Sequence, residues 1–231
     1  MRWSSAVSDA PSIGDAVQQA CARVAEGLDG RAPDVVFVFV SAHHAGGYDS
    51  VPALLREHLG DASVVGCSAA GVIGGGQEVE RRPGLAVAAA HLPGVEVRPF
   101  SARQGDLPTP DDPPEEWRRL VGANGNGQAA IVLLPDPFTL HADALLSGLD
   151  FAFPGVVKTG GLASGGDRPG ANALFLGDRV LRSGTVGAVL AGNVAVDAVV
   201  AQGCRPIGQP MVVTECRENV IERLGNEAPL E

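Results

Sequence analysis

A glycine-rich stretch, residues 64–76, most restricts how this chain can fold. Two valines enter it, and five glycines follow with serine and alanine among them. Small residues allow one backbone segment to lie close to another, or close to a ligand. Residues 156–166 repeat the pattern, with a Val-Val pair before two Gly-Gly pairs. We call residues 66–76 glycine loop 1 and residues 158–166 glycine loop 2, and we expect both at the centre of the molecule.

The composition limits the number of domains and the classes of partner that the chain can bind. A chain of 231 residues with 45% hydrophobic and only 4% aromatic residues predicts one large domain or two small ones with an aliphatic core. The net charge of −10 argues against a nucleic-acid partner, because an acidic surface repels phosphate. Lys158 is the single lysine, which argues against polybasic attachment to a membrane.

The cysteines and the hydropathy pattern indicate a cytoplasmic protein. The four cysteines form no CxxC pair and match no zinc-site spacing, so reduced thiols are expected. The N-terminus has no apolar core of signal-peptide length, and no apolar run is long enough for a membrane helix.

Apolar periodicity predicts alternating strands and helices. Helical spacing occurs over residues 13–28, 51–59, 115–121 and 139–149, and buried strands are predicted at 34–40, 63–65 and 129–134. Hairpins are predicted at 85–100, 172–183 and 186–202, each around a turn that contains glycine. The final strands are expected at 211–214 and 219–224.

Two segments, residues 34–100 and 129–202, have the same order of elements. Each runs through a strand, a helix with a Leu-Leu pair, a Val-Val pair, a glycine loop and a hairpin. This predicts duplicated half-domains around a pseudo-two-fold axis, with the two glycine loops facing one cleft. The expected fold is mixed, strand-rich α/β with one twisted sheet and helices outside. The alternative is two stacked sheets flanked by helices, a four-layer α-β-β-α sandwich.

The glycine loops match no familiar phosphate or nucleophile motif. Dinucleotide, Walker A and nucleophile-elbow spacings are all missing. Cys67 or Ser68 could act as a nucleophile at the end of a buried strand if a histidine lay beside it. The other interpretation is that these small residues pack closely or contact a ligand.

Polar residues follow the predicted buried strands, where α/β sheets usually bind ligands. His43 and His44 follow the first strand, and Asp136 and His141 lie in the corresponding region of the second half. They are either ordinary exposed polar residues, the lining of a cleft, or haem or metal ligands. A ligand carboxylate could pair with one of the few nearby cations, which are Lys158, Arg168 and Arg205.

Several motifs together resemble the FIST N-terminal domain. Residues 65–74 with 78–80 resemble its central motif, and residues 202–208 with 213–214 and 219–221 resemble its more specific C-terminal motif. Residues 3–8 and 160–164 fit as well. The resemblance implies a single FIST N-type domain over residues 1–231, a sensory module without an established catalytic motif. Members normally continue into a FIST C-terminal domain, and we expect residues 1–231 to contain the N-type domain alone, without a following FIST C-type domain.

The resemblance and the glycine loops together predict a cytosolic sensory domain and not an enzyme. Such a domain would bind a small, amino-acid-like metabolite and signal to a partner protein or a FIST C-type domain. The expected ligand-binding residues are Gly66, Cys67, Ser68, Gly71, Gly160, Gly161, Ser164, His43 and Arg205. One alternative is a haem-dependent nitric-oxide sensor that uses His43, His44, His91 or His141, and no other cofactor is specified. The second alternative is an enzyme that uses Cys67 or Ser68.

Overall fold

The computed structural model describes residues 1–123, 127–199, 207–218 and 220–229. The chain divides into two compact units, Met1–Ala198 and Val199–Glu231. In the first unit the helices are α1 (Ile13–Gly27), α2 (Val51–Leu59), α3 (Pro114–Leu120) and α4 (Ala142–Ala152), with 3-10 segments at Ala42–Ser50 and Gln104–Asp106. Its strands are β1 (Arg2–Ser8), β2 (Val35–Ser41), β3 (Ser63–Ala69), β4 (Gly71–Gly74), β5 (Gln77–Glu80), β6 (Leu85–His91), β7 (Val95–Ala102), β8 (Gln128–Pro135), β9 (Val157–Gly160), β10 (Leu174–Leu176), β11 (Arg179–Leu181) and β12 (Thr185–Gly192).

The first sheet has six strands in the order β1-β6-β2-β3-β10-β11. Strands β2 and β3 are parallel, and the other neighbouring strands are antiparallel. Residues along β2 alternate between the two faces of the sheet. Val36, Val38 and Val40 pack in one cluster with residues of α1 and α2, such as Val17 and Leu55. The helices therefore cover one face of this sheet.

The second sheet has four strands in the order β7-β12-β8-β9. Strands β8 and β9 are parallel, and β12 is antiparallel to both β7 and β8. Ile131 and Val189 on its outer face pack with Trp117 of α3 and with Leu145 and Leu149 of α4. Helices therefore cover the outer face of this sheet too.

The inner faces of the two sheets pack against each other. Val65, Cys67 and Leu174 of the six-stranded sheet share one buried cluster with Val186 and Ala188 of the four-stranded sheet. The mixed α/β class predicted from the sequence is confirmed. Its layers, however, are helices, sheet, sheet, helices, which is the second of the two predicted arrangements and not one continuous sheet.

The two sheets share one connectivity. In each sheet, three strands alternate with two helices along the chain, and a later strand then inserts between the first and the second strand. The resulting spatial orders are β1-β6-β2-β3 and β7-β12-β8-β9. These units begin at β1 and β7, upstream of the predicted starts at 34 and 129. The origin of the halves by duplication stays a prediction.

Two predicted hairpins are wrong. The strands at 85–91 and 95–100 exist, but β6 pairs within the six-stranded sheet and β7 within the four-stranded one, so the turn between them crosses between layers. Strand β12 has no hairpin partner over residues 194–199, and residues 200–202 lie outside the described part. The hairpin of β10 and β11 is confirmed. The sequence analysis does not predict the antiparallel pairing of β4 with β5.

The second unit contains an antiparallel pair, β13 (Val213–Arg217) and β14 (Val220–Leu224), close to the predicted positions. Most described side chains in this pair are exposed, and Val213 and Val220 are examples.

A comparison of Gly66 with Gly161 tests the packing of the parallel strands. A Cβ on Gly66 would lie 2.1 Å from the Val38 carbonyl oxygen, so β2 and β3 would have to separate. We expect Gly66→Ala to lower the free energy of unfolding by about 1–3 kcal/mol, as overpacking does. A Cβ on Gly161 would meet nothing within 4 Å, so Gly161→Ala should stay within about 0.5 kcal/mol of wild type. Urea unfolding followed by circular dichroism measures both, and equal losses would contradict the packing described.

Candidate functional site

The two glycine loops meet where the parallel strands end. The amide of Ser164 donates to the Ser68 carbonyl oxygen at 3.1 Å, and the amide of Ala163 donates to the Pro135 carbonyl oxygen at 2.9 Å. Glycine loop 2 therefore bonds both to the end of β3 in one sheet and to the end of β8 in the other. Carboxyl ends of parallel strands are the usual place for ligand sites in α/β proteins.

Two further contacts tie the loops together. The amide of Ala70 donates to Ser164 Oγ at 3.1 Å. Gly165 has a φ of 90°, and a Cβ there would lie 2.8 Å from the Ala69 carbonyl oxygen and 3.0 Å from the Ala42 side chain. Glycine is required at this position both by the backbone conformation and by the close approach.

A buried asparagine connects the two sheets beneath the loops. Asn172 is 1% exposed, and its Oδ1 accepts hydrogen bonds from Ser68 Oγ at 3.1 Å and from the Gly166 amide at 2.9 Å. Its Nδ2 donates to Asp136 Oδ1 at 2.9 Å. The orientation of the amide follows from these partners, since only nitrogen can donate to a carboxylate. One side chain thus joins β3, glycine loop 2 and the residue after β8.

Asp136 is fully buried and continues the same network. Its second carboxylate oxygen accepts a hydrogen bond from the Thr139 hydroxyl, which in turn accepts from the Gly184 amide at 2.9 Å. The Asp136 amide donates to the Gly184 carbonyl oxygen at 2.8 Å. A buried carboxylate is costly unless hydrogen bonds satisfy it, and this one is held from several directions. The network Ser68–Asn172–Asp136–Thr139 is called the polar bridge below.

The 3-10 segment after β2 closes the other side of Ser68. Tyr48 is 1% exposed, and its ring packs edge-on against Phe175 with centroids 5.9 Å apart. The Arg182 guanidinium lies 5.5 Å from the centroid of the same ring and pairs with Asp49 at 2.9 Å. Burial raises the pKa of the Tyr48 phenol, while the neighbouring Ser68 hydroxyl and the Arg182 charge oppose the rise.

His44 lies in the same 3-10 segment and is 5% exposed. Its Nε2 is the one fully buried side-chain nitrogen or oxygen in the described residues that has no hydrogen-bond partner. Burial, and secondarily the neighbouring His43, lowers the pKa of the imidazole, so the ring is neutral near pH 7. A neutral, unpartnered imidazole nitrogen can bind a donor group or a metal.

The four glycines predicted to bind a ligand occupy different environments. Gly66 and Gly160 are required by backbone packing, because a Cβ on them would lie 2.1 Å and 1.9 Å from the carbonyl oxygens of Val38 and Leu133. At Gly71 the nearest neighbour, 3.0 Å from a Cβ, is the flexible side chain of Glu80. Gly161 is exposed and has open space around it, which makes it the most accessible of the four.

Most amides of glycine loop 2 are already engaged within the protein. Those of Gly161, Ala163, Ser164 and Gly166 all donate to described groups. The amides of Leu162 and Gly165 donate to no described group, and both residues are exposed. Within residues 161–166, these two amides and the hydroxyl of the half-buried Ser164 are the donor groups that a ligand can reach.

Cys67 and Ser68 are buried at 3% and 1% exposure. Cys67 lies in the cluster between the sheets, and burial raises the pKa of its thiol to about 12, so the thiolate needed for nucleophilic attack is not formed near pH 7. Ser68 Oγ donates to Asn172 and accepts from the Ala173 amide at 3.1 Å. Both side chains have the environment of structural residues.

The predicted cations and the remaining histidines are dispersed. Lys158 forms an ion pair with Asp150 of α4 at 2.9 Å, and Arg168 forms one with Asp167 at 3.3 Å. His43 and His141 are exposed, whereas His91 lies at the opposite end of the six-stranded sheet, near the start of β2. Arg205 lies outside the described residues. Within the described ranges, no group of three or more His, Cys, Asp or Glu side chains is placed to hold a metal ion.

Sequence reasoning missed three residues of this site: Tyr48, Thr139 and Asn172. Asn172 was interpreted as the start of a hairpin strand, although it is separated from Ser68 by 104 positions. A polar residue directly before an apolar strand gives no sign that it is buried. The one signal of this site in the sequence is Asp136, a carboxylate that directly follows the apolar run 129–135.

The buried imidazole of His44 predicts a pH dependence of stability. Its folded pKa is below the unfolded value of about 6.5, so the unfolded chain binds the extra proton and stability is lost as pH falls below that value. The slope from one such group is at most about 1.4 kcal/mol per pH unit. We expect His44→Leu to flatten the unfolding free energy measured between pH 7 and 5, while His43→Gln, at an exposed site, keeps most of the slope. An unchanged slope in His44→Leu would refute this assignment.

Comparison with known proteins identifies the family. A family model described as the FIST N domain matches residues 34–227. The uncharacterized protein Rv0628c of Mycobacterium tuberculosis is 34% identical over 233 residues, and the uncharacterized protein Mb0898c of Mycobacterium bovis is 31% identical over 236 residues. Each alignment covers 100% of this chain and 58% of the relative, so the chain spans less than two thirds of their length.

In the described part of the chain, none of the helices has both the length and the apolar character needed to cross a bilayer. The family match extends over both glycine loops and the polar bridge beneath them. The chain therefore belongs to the FIST N domain family, a family of sensory domains in signal transduction.

Proposed function

We propose that this chain is a cytosolic sensory domain that binds a small, amino-acid-like metabolite on glycine loop 2 and signals to a partner protein or domain. One observation carries the proposal. Leu162 and Gly165 are exposed and their amides donate to no described group, while the amides of four other residues anchor the loop to both sheets: Gly161, Ala163, Ser164 and Gly166. A pair of amides on a fixed loop suits a carboxylate group, which accepts hydrogen bonds in a directed way.

The anchoring supports a sensory role. Glycine loop 2 bonds to Ser68 and Pro135 and continues through Asn172 into β10, which extends the six-stranded sheet. A ligand shifts a conformational equilibrium only by its difference in affinity for the two states. A ligand held by this loop would stabilise the state in which the polar bridge is intact, and its effect would extend to both sheets.

The set of ligand-binding groups proposed here differs from the set expected from the sequence. The sequence suggested that the amides of both glycine loops hold the ligand, with an arginine beside them. The geometry supports a smaller set: the two amides of glycine loop 2, the Ser164 hydroxyl, and the exposed His43 imidazole on the neighbouring 3-10 segment. The signalling partner is part of the proposal as well.

A thermal-shift screen of proteinogenic amino acids and small organic acids tests this function. We expect at least one compound to raise the melting temperature by about 5–10 °C at a hundred times its Kd. Without ligand, Gly161→Ala should have the same melting temperature as the wild type. With ligand, it should lose most of the rise in melting temperature, since its methyl group would occupy open space beside the free Leu162 amide. Gly46→Ala, at another exposed glycine with nothing within 4 Å, is the matched control and should keep the shift. A screen without any stabilising compound, or an undiminished shift in Gly161→Ala, would refute the site.

A haem-dependent gas sensor is the second candidate, and His44 is the observation that favours it. A neutral imidazole with a free Nε2 has the chemistry that haem iron requires, although at 5% exposure the 3-10 segment would have to open first. Hemin titration should then give a Soret band that His44→Ala abolishes and His43→Ala retains. A wild-type protein without such a band, or a band insensitive to His44→Ala, would remove this candidate.

A further inference from the structure

A second site is indicated at a cavity of about 530 Å³ near the edges of the two sheets. It is lined by the end of β7 with the residues after it, and by β11 with the turn that leads to β12. Three arginines line it, Arg103, Arg179 and Arg182, together with one acidic residue, Asp106. A volume of this size falls in the range of small-molecule sites.

The positive charge of this cavity is unusual for the chain. The protein has a net charge of −10, and most described arginines form ion pairs with aspartate or glutamate. Arg103 and Arg179 are exceptions, because neither guanidinium forms an ion pair or donates a hydrogen bond to a described residue. Arg182 pairs with Asp49, which does not line the cavity.

The acidic residue offsets only part of the positive charge, because three arginines and one carboxylate give the lining a formal net charge of 3 − 1 = +2. Asp106 Oδ2 accepts a hydrogen bond from the Arg103 backbone amide at 2.8 Å, so this carboxylate caps the short 3-10 turn Gln104–Asp106. It forms no ion pair with a described arginine. Two exposed arginines, with ten N–H donors between their guanidinium groups, therefore line one cavity without a described hydrogen-bond partner.

Neutral donors complete the lining. Ser101 and Ser183 are half-buried, and neither hydroxyl hydrogen-bonds to a described group. Hydroxyl and guanidinium donors around one cavity are the set that binds phosphate or carboxylate oxygens, and arginine binds these groups in a bidentate way.

We propose that this cavity binds a multiply charged small anion whose oxygens belong to phosphate or carboxylate groups. Arg103 and Arg179 supply the charge, and the hydroxyls of Ser101 and Ser183 supply additional donors. The site is separate from the exposed side of glycine loop 2, and it does not depend on the function proposed there.

The position of the cavity also places it beside the polar bridge. Ser183 precedes Gly184, whose amide and carbonyl oxygen bond to Thr139 and Asp136. Arg182 lies over Tyr48 on the other side. Arg182 is therefore unsuitable for a test, because its replacement would disturb Tyr48 and Asp49 as well as the cavity.

Isothermal titration of the full chain with pyrophosphate and, separately, with citrate at matched ionic strength tests the proposal and distinguishes phosphate from carboxylate ligands. We expect one of the two to bind, and Arg103→Gln and Arg179→Gln each to weaken the affinity about tenfold, as loss of a charge-assisted hydrogen bond does. Arg81→Gln removes the same charge from an exposed arginine outside the cavity and should change the affinity less than twofold. Circular dichroism confirms that each variant is folded.

Three outcomes would overturn the site: neither anion binds, the variants Arg103→Gln and Arg179→Gln bind as wild type does, or Arg81→Gln weakens binding to the same extent. The last outcome would indicate general electrostatic attraction. Because Gly161→Ala is expected to leave this binding unchanged, failure of the anion site and failure of the glycine-loop site are distinguishable.

Discussion

The hydrogen bonds of one buried amide, that of Asn172, hold the two sheets together at the candidate site. Its oxygen accepts from Ser68 in the six-stranded sheet, and its nitrogen donates to Asp136 at the end of a strand in the four-stranded sheet. Apolar packing between sheets does not fix one relative position, because it lacks direction. A buried polar group that loses its partner costs about 1–3 kcal/mol, so the polar bridge specifies how the ends of the two sheets meet.

Glycine has two separate roles around this bridge. Gly66, Gly160 and Gly165 allow backbone to lie against carbonyl oxygens of neighbouring strands, and a side chain there would push the strands apart. Gly161 has space around it and lies on the exposed side of the loop. Glycine thus allows close packing at some positions and leaves open space at another. In glycine loop 2, this difference separates the part that packs against the strands from the part that a ligand can reach.

The sequence predicted most elements but not their assignment to layers. Apolar runs and helical spacing located α1, α2, β2 and β8 within a few residues, because local pattern determines burial on one or two faces. The strands β6 and β7 were paired wrongly, since adjacent strands joined by a short turn usually form a hairpin, and only tertiary packing places them in different sheets. The polar bridge and the arginine cavity bring together residues that are far apart in the chain. Ser68 bonds to Asn172, and Arg103 and Arg179 line one cavity, but no local sequence pattern predicts that these residues lie close together.

A double-mutant cycle between Ser68 and Asp136 tests the central claim most directly. Ser68 lies in the six-stranded sheet, Asp136 directly follows β8 of the four-stranded sheet, and both share Asn172 as their hydrogen-bond partner. Urea unfolding of Ser68→Ala, Asp136→Ala and the double variant should give a coupling free energy of about 0.5–3 kcal/mol, because each single change weakens the bond that Asn172 makes to the other residue. The matched cycle of Ser50→Ala with Asp136→Ala, at an exposed hydroxyl outside the bridge, should be additive. Additive losses in the Ser68 cycle as well would contradict an amide that links the two sheets.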